Sequence, residues 1–131
     1  MRGMRRCIAL FGLATLLAVQ GAQAGDADTA SERRGAPVFG TYCVACHGSY
    51  GDGKGKAIRN LGVSPGNLRT TNSPDATIER IVRKGGAGVG RSAFMPPWEE
   101  ELTEQQIKDV LAYLRTINMN KRASGLGVPA R

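Results

Sequence analysis

Residues 43–47 read Cys-Val-Ala-Cys-His. Two cysteines three positions apart share one face of a helical turn, so both sulfurs can reach one flat ligand while the adjacent imidazole points at that ligand's centre. This is the pattern of covalent haem attachment: each thiol adds across a haem vinyl group as a thioether, and His47 supplies an axial nitrogen to the iron. The same residues admit three other readings. A redox-active C-x-x-C pair belongs to a thioredoxin-like βαβ context, and the sequence shows little sign of strands. A disulfide between residues so close would close a trivial loop. Zinc would lack a fourth ligand, because Cys43, Cys46 and His47 are the only Cys and His beyond residue 24.

An iron held on one side by His47 calls for a second axial ligand. Beyond residue 24 the chain has two methionines, Met95 and Met119. Met95 lies in Phe94-Met95-Pro96-Pro97-Trp98, 48 residues past His47, where two prolines stiffen a loop that could hold a soft thioether over iron. A lone methionine is by default a core gap-filler, and that role suits Met119 better than Met95.

The elements that must position these residues are three helix-like stretches between glycine-rich loops. Val38, Phe39 and Tyr42 have helical spacing ahead of Cys43, with Pro37 suited to the first helical position, so the first helix is expected to start near Pro37. Ser73-Pro74 reads as an N-cap with proline at the first position. The helix it opens runs through Ile78, Ile81 and Val82 to Lys84 and stops at Gly85-Gly86. Thr103 and Gln106 form a capping box, followed by Ile107, Val110, Leu111, Leu114 and Ile117 down one face. Two long glycine-rich loops separate them, 48–71 and 85–97. Loops of that length are functional or disordered in a compact domain.

Length and composition set the frame. The chain has 131 residues, 18 of them glycine, with only 5% aromatics. One small domain with few large side chains raises the question of what fills its core. Residues 1–24 read as an export signal: Arg2, Arg5 and Arg6 precede an apolar run from Ile8 to Val19, and Ala22-Gln23-Ala24 is a small-x-small cleavage site. The run is short for a membrane span. Cleavage after Ala24 is expected, with an uncleaved amino-terminal anchor as the alternative, and the protein is expected in the periplasm. Cys7 then leaves with the signal. Residues 25–34 read as a flexible lead-in, 35–118 as the haem domain and 119–131 as a flexible tail. Beyond the signal 15 basic residues face 11 acidic ones, and the excess lies between Arg33 and Arg91. Export argues against a nucleic-acid partner; the charge is either solvated surface or a steering patch.

In this arrangement the chain resembles the class I c-type cytochromes, in particular small bacterial periplasmic members with one haem. Gly35 and Phe39 stand eight and four residues before Cys43, where the family uses a glycine and an aromatic to pack its first helix on its last. Val110-Leu111-Ala112-Tyr113-Leu114 resembles the matching stretch of that last helix. Residues 48–55, Gly-Ser-Tyr-Gly-Asp-Gly-Lys-Gly, resemble the turn that often follows the haem histidine. Pro65-Gly66-Asn67-Leu68 resembles the segment in which a proline carbonyl accepts the Nδ1 proton of that histidine and a leucine packs on its face, although the family more often has Pro-Asn-Leu without the inserted glycine.

The resemblance implies an all-α cytochrome c fold of three main helices around one covalent haem c. Cys43 and Cys46 would form the thioethers, His47 and Met95 the axial ligands, and Phe39, Pro65, Leu68 and Trp98 the haem surroundings. It implies a one-electron carrier serving redox partner proteins, a donor dehydrogenase or quinol-oxidising complex and an acceptor oxidase or reductase, rather than an enzyme. The alternatives are a haem subunit of a larger oxidoreductase, or a haem enzyme or gas binder whose iron keeps an open position. Lys54, Lys56, Arg59, Arg80, Arg83, Lys84 and Arg91 are the candidate steering cations. Haem as the missing core further implies that the apo-protein is largely unfolded.

Overall fold

The computed structural model describes residues 24–124. They form five α-helices: α1 (Ala24–Tyr42), α2 (Val44–His47), α3 (Asp75–Lys84), α4 (Glu104–Ile117) and α5 (Met119–Ala123). Short 3₁₀ turns lie at Ala57–Asn60 and Ala87–Val89. No strand occurs among the described residues. The expected export signal lies outside them except for Ala24, as do residues 125–131.

The fold is organised by α1 packing on α4. Gly35 sits at their contact: a side-chain carbon there would run into the Asp109 carbonyl and the Tyr113 side chain, so the helices approach this closely only because residue 35 has none. One turn on, Phe39 is 2% exposed and its ring lies 5.3 Å from that of Tyr113, tilted at 48°. From α4 come Ile107, Val110, Leu111 and Leu114, all buried, with Ile117 packed at the edge. The capping box that starts α4 is present: Gln106 N donates to Thr103 Oγ1 at 3.2 Å, and Thr103 N to Gln106 Oε1 at 2.9 Å.

Three sequence expectations need correction. First, α1 does not start near Pro37 but runs through it from Ala24, so residues 25–34 are helical rather than a loose lead-in. Proline inside a helix forfeits one backbone bond. Anchors on both sides hold the helix across that defect. Arg34 donates from Nε and Nη2 to the two Asp109 oxygens at 2.8 and 2.9 Å, while Val38 and Phe39 are buried downstream. Asp109 is itself buried and also accepts from Gln105 Nε2 at 2.9 Å. Second, α3 begins at Asp75 with Pro74, not Ser73, as its cap residue. The Ser73 hydroxyl is engaged with Thr71 Oγ1 at 3.1 Å and does not cap the helix. Third, residues 119–124 are no loose tail. α5 is capped by Asn118, whose Oδ1 accepts from Lys121 N, and it is tied to α3 by the Lys121–Asp75 ion pair, which Arg115 joins from α4 at 2.7 Å.

Candidate functional site

A cavity of about 360 Å³ is lined by Phe39, Cys43, Cys46, His47, Pro65, Leu68, Met95 and Trp98, the eight residues that the sequence assigns to the cofactor. Its other walls are mainly apolar: Ile78, Ile81 and Val82 of α3, Leu114 of α4, and Ile58, Val63 and Phe94 from the loops. Arg91 is the only charged side chain among the lining residues. Met119 is not among them; it is 46% exposed, and its sulfur faces Arg69 Nη2 at 3.6 Å.

Local geometry sets the Cys-His motif. Cys43 joins α1 to α2, its N–H bonded to Phe39 O at 2.9 Å, and its own carbonyl accepts from Cys46 N at 3.2 Å and His47 N at 2.8 Å. The glycine-rich loop then folds back over the motif, with Gly53 N donating to His47 O at 2.8 Å and Gly55 N to Cys46 O at 3.1 Å. A side chain at residue 55 would overlap the Ala45 and Cys46 carbonyls, so glycine is required for this return. The methionine loop is fixed to the end of α3: Gly86 N donates to Met95 O at 2.8 Å, and Trp98 N to Val82 O at 3.0 Å. Trp98 packs edge-on against Tyr42, ring centroids 5.4 Å apart, which carries the first helix over to this loop.

Electrostatics narrow what the motif can do. Cys43 and Cys46 are both free thiols. Burial, helped by the neighbouring Cys46, pushes the Cys43 thiol up to about 11, opposite to the depressed value of a nucleophilic redox cysteine. Among the described residues no three His, Cys, Asp or Glu side chains gather into a metal-holding cluster. Burial also holds the His47 imidazole below its ordinary value, so at neutral pH the ring keeps a free lone pair. The Gly66 backbone acts in the opposite direction on that ring, but His47 Nδ1 is buried with no partner in hydrogen-bonding geometry. Pro65 O lies close to Gly53, and Pro65 and Gly66 both line the cavity together with His47.

Two of the candidate steering cations are already paired. Arg83 bonds Glu104 at 2.6 and 2.9 Å and Glu79 at 2.9 Å, and Lys84 bonds Glu99 at 2.6 Å. These pairs join α3 to the approach and first turn of α4. Lys54, Lys56, Arg59, Arg80 and Arg91 are exposed and form no ion pair within the described residues.

The sequence reading missed two groups. Asp109 falls on the packed side of α4, where a carboxylate is not expected. Asn118 is 1% exposed and holds the loop 68–71. The only sequence signal for the first was an arginine beside Gly35, and for the second an asparagine at the end of an apolar helix.

Residues 30–114 match the family model described as cytochrome C oxidase, cbb3-type, subunit III. The chain belongs to this family of class I c-type cytochromes. Relatives include the cbb3-type cytochrome c oxidase subunit FixP of Azorhizobium caulinodans, 29% identical over 94 residues, and subunit CcoP of Azospirillum brasilense, 30% identical over 98. Each alignment covers 72% of this chain, but the chain spans only 30% and 31% of those subunits. Cytochrome c-554(547) of Halothiobacillus neapolitanus is 29% identical over 88 residues, covering 63% of this chain and 92% of that protein. The family brings haem c as the cofactor and electron transfer as the function, and the residues present fit that group. The cavity is mainly apolar, two free thiols and an imidazole line it, and a thioether lines it from a separate loop. Two buried donor or acceptor atoms in that wall, His47 Nδ1 and Trp98 Nε1, have no protein partner.

Proposed function

We propose that this cytochrome is an exported, periplasmic one-electron carrier with one covalent haem c. The observation that carries the reading is the meeting of Cys43, Cys46, His47 and Met95 in the wall of one apolar cavity. The chain has a single C-x-x-C-H sequence, which supports one haem. Cys43 and Cys46 would tether the ring, His47 would offer it a neutral nitrogen, and Met95 would supply the second ligand. Bound haem supplies a single-electron ferric/ferrous couple, and a methionine ligand favours the ferrous state. The apolar side chains of α3 and the loops keep water from the ring, which acts in the same direction. An iron held by His47 and Met95 would keep no open position for oxygen or peroxide.

Export rests on the leader-like residues 1–24, and cleavage after Ala24 would leave α1 whole except for its first residue. No helix among the described residues is long and apolar enough to cross a membrane. The exposed cations Lys54, Lys56, Arg59, Arg80 and Arg91 give donor and acceptor proteins with acidic surfaces a faster encounter at low salt.

Likeness to FixP and CcoP favours a second reading, in which the same domain is held by a terminal oxidase instead of diffusing between partners. Likeness to cytochrome c-554(547), nearly all of which the chain covers, favours the free carrier. Purification from the native membrane and soluble fractions separates the two. Absorption spectra test the ligand set: a ferric far-red charge-transfer band is expected for iron–methionine ligation. A ferrous form that binds carbon monoxide readily would support the haem enzyme or gas-binding alternative.

A further inference from the structure

The segment 68–72 has no regular structure, yet four successive carbonyls in it are taken up by three residues at the far end of the chain. Asn118 Nδ2 donates to Leu68 O at 3.0 Å and Thr71 O at 2.9 Å; Met119 N donates to Arg69 O at 2.8 Å; Asn120 Nδ2 donates to Thr70 O at 2.8 Å. Leu68 and Thr71 line the haem cavity together with His47, as does Gly66, two residues upstream of Leu68. Asn118 is 1% exposed, and its other side-chain atom, Oδ1, caps α5 by accepting from Lys121 N at 3.0 Å. A buried amide with all of these bonds made has one orientation, and a carbonyl row fixed at every residue has little freedom to shift.

We infer that Asn118 is a positioning residue for the redox site: with Met119 N and Asn120 it clasps the wall segment 68–71 and so fixes the packing around His47. The inference rests on the haem site proposed above. A loosened wall admits water beside the iron, which favours the ferric state and lowers the reduction potential. The clasp acts on the wall, whereas the Asp75–Lys121 ion pair secures the other side of α5 without touching the loop carbonyls. Loss of either weakens the carboxyl-terminal end of the fold; only loss of the clasp alters the haem surroundings.

The test compares four variants of the haem-loaded full chain by redox titration and by chemical unfolding. Asn118→Ala removes all three side-chain bonds. Asn118→Ser keeps an oxygen that can cap α5 but shortens the reach to Leu68 and Thr71. Asn120→Ala, at an exposed position, removes the bonds to Thr70 O and Asn72 Oδ1 but leaves those of Asn118 in place, and keeps the test alive if the buried variants fail to fold. Lys121→Met is the control. The reduction equilibrium is expected to shift at least threefold toward the ferric form in the Asn118 variants, about 30 mV for one electron. Asn120→Ala is expected to move it less in the same direction, and Lys121→Met to lower the unfolding midpoint with the potential unchanged. An unchanged potential in the asparagine variants, or an equal shift in Lys121→Met, would overturn the clasp. A wild-type chain without covalent haem would instead overturn the site on which the inference rests.

Discussion

The α1–α4 crossing and the cavity loops are built on different terms. At the crossing, protein meets protein: Gly35 lets the backbones touch, Phe39 and Tyr113 pack their rings, and Arg34 closes on the buried Asp109. Across the cavity, the loops turn Ile58, Val63, Leu68, Phe94 and Met95 toward a space that no protein atom fills. Two polar atoms of that wall, His47 Nδ1 and Trp98 Nε1, find no protein partner, whereas the polar groups of the crossing are satisfied by their own helices. The crossing is packed by protein side chains alone, whereas the loops close around a cavity that suits a large flat apolar ligand. The glycine-rich, aromatic-poor composition is that of a chain that supplies half a core and borrows the rest.

This contrast can be broken most decisively by removing the tether. Cys43→Ala with Cys46→Ala is expected to abolish covalent haem and to cost most of the cooperative unfolding transition, with residual helix confined to α1 and α4. Circular dichroism with hydrogen exchange reads both. A well-folded haem-free double variant would show that the loops have their own core. Met95→Ala is expected next: the far-red ferric band is lost, carbon monoxide binds the ferrous form, and the reduction equilibrium moves roughly tenfold or more toward ferric, at least about 59 mV. Gly35→Val strikes the crossing instead. It forces the helices apart at a cost of about 1–3 kcal/mol, read as a lower unfolding midpoint, with the haem spectrum nearly unchanged.

Acid should sharpen the comparison from the same side. The hydrogen bonds from Arg34 hold the Asp109 carboxyl below its ordinary value, outweighing the effect of its burial. A folded-state pKa below the unfolded value of about 3.9 means that this contribution is complete above that pH and is lost as pH falls through the depressed value. The Asp75 and Glu104 carboxyls are lowered as well, by Lys121 with Arg115 and by Arg83, and add to the same acid slope. Asp109→Asn is expected to flatten the slope below about pH 4. The smallest effect expected is on encounter: neutralising Lys54, Lys56 and Arg59 slows reduction by an acidic partner a fewfold at low salt and leaves the potential unchanged.

The residues that line the cavity were legible because covalent attachment demands a fixed short pattern, and because two methionines beyond residue 24 leave little choice. Gly35 was legible through its spacing from Cys43. The start of α1 was not, since Pro37 reads locally as a first helical position and only the distant Asp109 explains why the helix continues upstream. Which carbonyl of the Pro65 segment serves the His47 ring was not legible, because a resemblance supplies the motif while the inserted Gly66 shifts its register. Arg83 and Lys84 read as free charge until α3 and α4 were brought together. Asn118 lies 50 residues from Leu68, its partner, and no local pattern marks that bond.

The central claim is that Cys43 and Cys46 carry one haem between them. Mass spectrometry of the protein purified from an exporting, haem-competent host tests this directly, with peptide mapping of residues 43–47. A chain beginning at Gly25 with one added haem, both thiols consumed, is the predicted result; a mature chain of unmodified mass with Cys43 and Cys46 still alkylatable would contradict it.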